Sequence, residues 1–121
     1  MDNRGRSIAE EWFGGVGSKD KARVMRILDY LVWQSRSEWK RPQFDQLHGH
    51  VAQMGEIILK VIGGVQTRLV GFFDDRRMVF TIVLVVTKKE PNYSPRDWQQ
   101  ISVKRMNEVK ANSGCADEWY P

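Results

Sequence analysis

Lys88 and Lys89 close an apolar run, residues 78–86, and Tyr93 follows them across a short loop. The run is rich in Val, Ile and Phe, which predicts a strand buried on both faces. It is too short to cross a membrane, which takes about 20 apolar residues. A buried strand is a rigid mount, so two lysines at its exit present fixed positive charge to an anionic partner. Earlier in the chain, Lys60 and Arg68 are expected on adjacent strands across a hairpin, both on the outward face of the sheet. Cations converging on one spot suit a phosphodiester. Arginine binds phosphate bidentately, and a lysine ammonium stabilises the extra negative charge of a pentacoordinate transition state. A lone Lys or Arg on a sheet face is equally an ordinary solvated residue, so the weight rests on convergence.

His48 and His50 form an H-x-H pair after Leu47. Histidine titrates in the range needed to move a proton to or from a 2′-hydroxyl. As metal ligands the pair lacks a third His or Cys nearby, so no metal and no cofactor is expected. Tyr93, beside the paired lysines, can stack on a base, contact a phosphate or anchor its loop to the core. Glu56 opens the first strand of the hairpin, either as a base for a 2′-hydroxyl or as an ion-pair partner of Arg68. Cys115 stands alone in a polar C-terminal stretch, and the chain has no phosphate loop, dinucleotide glycine motif or serine elbow.

The elements that must position these side chains can be read from periodicity. Residues 8–13 form a short helix or strand, broken by Gly14, Gly15 and Gly17. A helix is expected from Ser18, as N-cap, to about Arg36, with Asp20 in its first turn. Its stripe is Ala22, Met25, Leu28 and Val32, widened by Val24, Ile27 and Leu31. Pro42 and Gly49 interrupt the next stretch, so residues 37–50 read as a loop or broken helix. The period then changes to two over residues 56–62, with Ile57, Leu59 and Val61 against Glu56, Ile58, Lys60 and Ile62. Gly63-Gly64 is a hairpin turn, residues 66–73 return, and residues 74–77 turn into the apolar strand. A last helix is expected with Ser94 as N-cap, Pro95 at its first position and Asp97 at its third, ending near residues 112–114. The order gives a single α+β domain over residues 1–121, with a core of about 8–111 and a short polar tail at 112–121. Its N-terminal helices precede a three- to four-stranded antiparallel meander and a C-terminal helix, all helices lying against one sheet face.

At 121 residues and 41% apolar the chain is long enough for a real core and too apolar for disorder. Its net charge of +4 favours an anionic partner such as nucleic acid or an acidic protein segment. The excess is local. Between residues 86 and 110, Lys88, Lys89, Arg96, Lys104, Arg105 and Lys110 face only Glu90, Asp97 and Glu108. The single cysteine and an N-terminus without an apolar signal core point to a soluble cytoplasmic protein with no membrane partner.

These segments, taken in order, resemble the RelE/ParE superfamily of type II toxins, closest to its HigB-like, phage-associated branch. The resemblance covers about residues 10–111. It is carried by KDKARVMRILDYL, RPQFDQLHGH, GEIILKV, VQTRLVGFF, MVFTIVLVVTKK, SPRDW and ISVKRMNEVK. It implies a RelE-like fold and a metal-independent endoribonuclease (an mRNA interferase) that cuts messenger RNA, usually on the ribosome. It also implies a cognate antitoxin, typically a helix-turn-helix protein, covering the basic face. On the matching positions, Arg68, Lys88 and Lys89 would bind the scissile phosphate, with His48 or Tyr93 assisting. Lys60, Arg96, Lys104 and Arg105 would hold RNA. Many relatives carry Arg two residues after the opening glutamate, where this chain has Ile58. The superfamily also includes proteins without nuclease activity, so a gyrase-inhibitor-like binder or a decayed prophage toxin keeping only its antitoxin interface is the alternative.

Overall fold

Gly63 and Gly64 turn with φ of 60° and 84°, a left-handed conformation that glycine adopts without steric cost. They join two strands, Gly55–Ile62 (β2) and Val65–Asp74 (β3). The computed structural model describes residues 8–74, 79–89 and 92–111. Within it, β2 and β3 lie in a five-stranded antiparallel sheet with Phe44–Gln46 (β1), Val79–Lys89 (β4) and Asn92–Ser94 (β5), in the order β1-β2-β3-β4-β5. The meander is thus as expected, with one short strand added at each edge. Most of the turn expected at residues 74–77, the end of the last helix and Cys115 fall outside the described residues.

Three helices accompany the sheet: Ile8–Gly14 (α1), Ser18–Val32 (α2) and Trp98–Ala111 (α3). They do not share one face, as the sequence reading expects. Val24, Leu28 and Leu31 of α2 pack with Phe44, Ile57, Leu59, Ile62 and Leu69, and Trp12 and Phe13 of α1 join them. Met106 and Val109 of α3 pack with Val70, Phe72, Val83, Leu84 and Val86, together with Val51 from the 3-10 turn Gly49–Val51. Phe72 and Phe73 are successive residues in different cores, because side chains alternate across a strand. Cover on both faces accounts for the near-continuous apolar run at residues 82–86 of β4. No helix among the described residues is long and apolar enough to cross a membrane.

Local differences from the sequence reading have physical causes. Gly17 caps α2 rather than Ser18, and the helix stops at Val32. Its buried stripe is Val24, Leu28 and Leu31, with Ile27 half-buried beside it, while Ala22, Met25 and Val32 point to solvent. Trp39 closes the end of that core. Its indole N–H donates to the Leu31 carbonyl at 2.9 Å, and its ring packs on Phe44, Phe73 and Phe80. α3 begins at Trp98 rather than at Ser94, because Ser94 pairs with Thr87 as part of β5.

Two bulges set which side chains share a face. In β2, Ile58 pairs with Arg68 but Lys60 pairs with Thr67, so Leu59 is extra, and Lys60 takes φ 62°. In β4, Leu84 pairs with Val70 but Ile82 pairs with Gly71, so Val83 is extra. Bulges of this kind raise local twist and bend the strand.

Candidate functional site

Glu56, Arg68 and Tyr93 meet on the α3 face of the sheet. The Arg68 Nη1 donates to Glu56 Oε1 at 2.6 Å, and the Tyr93 hydroxyl lies 2.9 and 2.7 Å from the two Glu56 oxygens. Tyr93 also stands 3.5 Å from Arg68 Nη1. Glu56 is on β2 and Tyr93 on β5, three strand spacings apart, which in a flat sheet is about 14 Å. Direct hydrogen bonding across that span requires the sheet to curl, and the bulges in β2 and β4 supply the bend. Glu56 and Arg68 are 2% and 7% exposed. A carboxylate and a guanidinium so buried are tolerable only as a hydrogen-bonded pair. The Arg68 Nε is buried with no hydrogen-bond partner among the described residues.

Burial, then the hydrogen bond and negative charge of Glu56, push the Tyr93 phenol well above its ordinary value. Tyr93 therefore keeps its proton, and donates it in a hydrogen bond to Glu56, across the physiological range. Its ring packs against Trp98, the first residue of α3, with centroids 4.8 Å apart, and the Lys88 ammonium stands 5.7 Å from its centroid. Lys88 and Lys89 are the last two residues of β4, at the exit of the apolar run where the sequence places them. They pair with Tyr93 and Asn92 inside the β4–β5 ladder. The rigid mount inferred for them is thus extended by one strand. Lys88 is half-buried and Lys89 exposed.

Several expected members of the basic face are elsewhere. Arg68 is not an outward cation, because Glu56 neutralises it and the α3-side core covers it. Lys60 does not share its face. Arg68 and Thr67 are neighbours on β3 and point to opposite sides, and the bulge puts Lys60 opposite Thr67. Arg105 is half-buried, and its Nη1 donates to the Val83 carbonyl at 2.9 Å, at the extra residue of the β4 bulge. Burial lowers its pKa from the ordinary value. It thus commits one guanidinium donor to an irregularity in the sheet.

Arg96 is exposed and lines a pocket with Asn92, Tyr93, Trp98 and Gln99. Lys104 is exposed on α3 and lines an adjoining groove with His50 and Glu108, and Gln99 borders both. His48 is exposed at the start of the Gly49–Val51 turn, which comes after β1 at the far edge of the sheet from β5. Among the described residues no group of three or more His, Cys, Asp or Glu side chains is arranged to hold a metal ion.

Glu56 is the centre of the cluster, although from the sequence it ranks as one of two roles for a strand-opening carboxylate. Its two-residue offset from Ile58, the partner of Arg68, makes the diagonal contact with Arg68 legible once the register is known. Trp98, Asn92 and Gln99 carry no sequence signal that marks them as site residues.

The chain matches no family model, no curated protein and no solved structure in these comparisons.

Proposed function

We propose that this protein is the toxin component of a type II toxin–antitoxin pair, an mRNA endoribonuclease of RelE/ParE type that inhibits translation. The observation that carries the reading is convergence. Residues 56, 68, 88 and 93, far apart in sequence, come together on one face of a curled sheet, bordered by a pocket with an exposed arginine. The ordered sequence resemblance supports the same reading.

In this reading Lys88, which shares the Tyr93 face, holds the scissile phosphate and offsets the charge that builds on it, and Lys89, next in β4 and on the opposite face, meets the RNA backbone further along. Tyr93, whose single hydroxyl proton is held by Glu56, contributes its ring beside the phosphate as a stacking surface rather than as an acid. Glu56 and Arg68 are positioning residues that fix the Tyr93 hydroxyl. A neighbouring antitoxin, expected as a small helix-turn-helix protein, neutralises the chain by covering the basic edge.

One observation favours the second reading, a non-catalytic RelE/ParE-type binder. Glu56, the carboxylate at the centre of the cluster, is sealed by two donors and 2% exposed, so it is not presented to a 2′-hydroxyl. Induced expression followed by primer extension on cellular messages separates the two. Growth arrest with new 5′ ends, both lost in Lys88→Ala/Lys89→Ala, supports the nuclease. Arrest without new ends points to a binder acting on another target.

A further inference from the structure

The pocket formed by Asn92, Tyr93, Arg96, Trp98 and Gln99 has a volume of about 570 Å³ and is built from side-chain types that recognise an unstacked base. Its wall is the Tyr93–Trp98 ring pair, tilted by 40° with centroids 4.8 Å apart. The pair is held from behind, since Tyr93 is tied to Glu56 and both rings pack against the α3-side core. Aromatic surfaces fixed in this way bind bases by stacking, with little entropy left to lose. Asn92 and Gln99 each carry an amide with two donors and an acceptor, the group that pairs with base edges. Arg96 is exposed at the same pocket and suits a flanking phosphate. An aromatic wall, two amides and a cation together differ from a merely basic surface, which would bind any polyanion.

We propose that this pocket is a nucleobase subsite. It takes one unpaired base of a single-stranded RNA whose neighbouring phosphate lies on Lys88. Because Gln99 also borders the groove containing Lys104 and His50, the strand continues along α3 towards Lys104. The inference rests on the RNA reading above and deepens it. The base in this pocket contributes to the choice of sequence.

The test uses the full chain and 2′-O-methyl hexanucleotides, which bind but cannot be cut by 2′-hydroxyl attack. Fluorescence anisotropy compares fluorescein-labelled hexa-adenylate with an abasic hexamer of the same backbone. Wild type is expected to bind the hexa-adenylate about tenfold more tightly, the scale of one stacked base. Trp98→Leu and, separately, Asn92→Ala/Gln99→Ala should lower hexa-adenylate binding towards the abasic level while leaving abasic binding unchanged. The amide pair keeps the test valid if Trp98→Leu disturbs the core. Lys88→Ala should weaken both oligonucleotides alike. Equal binding of the two by wild type, or no loss in the amide variant, overturns the subsite. Base-dependent binding without new 5′ ends in cells keeps the subsite and rejects the nuclease. New 5′ ends without base-dependent binding do the reverse.

Discussion

The Tyr93 hydroxyl reaches both oxygens of Glu56, at 2.7 and 2.9 Å, although the two residues belong to the fifth and second strands of one sheet. That contact closes the curl of the sheet and fixes the edge on which Lys88 stands. It also joins stability to function, because the groups that lock the fold lie against the groups proposed to meet RNA.

Breaking the lock should therefore be costly. Glu56→Gln leaves the Arg68 charge buried without a counter-ion and should lower unfolding free energy by about 3–5 kcal/mol in urea titration. Tyr93→Phe removes one hydrogen bond to a charged group and should cost about 1.5–3 kcal/mol. Because the two share one contact, the double variant should lose at least about 0.5 kcal/mol less than the sum. Strict additivity would show that the contact is not formed in solution.

Alkali should destabilise the protein through Tyr93. Its phenol is raised in the folded state, whereas in the unfolded chain it ionises near pH 10. The unfolded chain thus loses this proton first, and stability is complete below about pH 10 and falls as pH rises towards the folded value. Unfolding free energies measured from pH 8 to 11.5 should decline above pH 10 in wild type, and less steeply in Tyr93→Phe. Absorbance at 295 nm should show a late-ionising phenol that the substitution removes.

Lys88 and Lys89 should act through charge. Lys88→Ala/Lys89→Ala removes two phosphate contacts, so the slope of log affinity against log salt for single-stranded RNA should shrink by about 1.4. Because Lys88 stands over the Tyr93 ring and Lys89 is exposed, stability should change by no more than about 1 kcal/mol. An unchanged salt slope would remove both lysines from the RNA interface.

Neighbours on α3 should separate cleanly. Arg105→Met leaves the Val83 carbonyl at the bulge without its donor and should cost about 1–3 kcal/mol of stability, with RNA affinity little changed. Lys104→Ala, on an exposed position, should weaken RNA binding and leave thermal unfolding within a few degrees. Thermal melts and anisotropy on the same samples read both effects.

Gly63-Gly64, the alternation over residues 56–62 and 66–73 and the long apolar run were enough to place the hairpin and the meander. They were enough because turn geometry and strand period are local properties of consecutive residues. The edge strands were not legible. Phe44–Gln46 and Asn92–Ser94 have three residues each, too few for a period, and they are strands only because a partner offers its hydrogen bonds. The apolarity of β4 signalled cover on both faces. It did not signal that α2 and α3 lie on opposite sides, since a helix stripe does not state which face it meets.

The amino-acid sequence by itself determined that this chain is basic around residues 88–105, that Lys88 and Lys89 ride on a buried strand and that Glu56 and Arg68 have compatible charges. Tertiary structure alone decided which of the cations face one another. A one-residue bulge turned Lys60 to the far side of the sheet, a second bulge claimed Arg105, and the curl brought Tyr93 to Glu56 and buried Arg68 beneath it. Side-chain facing alternates with every residue, so one extra residue inverts it. Where the extra residue sits is settled by packing between distant strands rather than by the residues beside it.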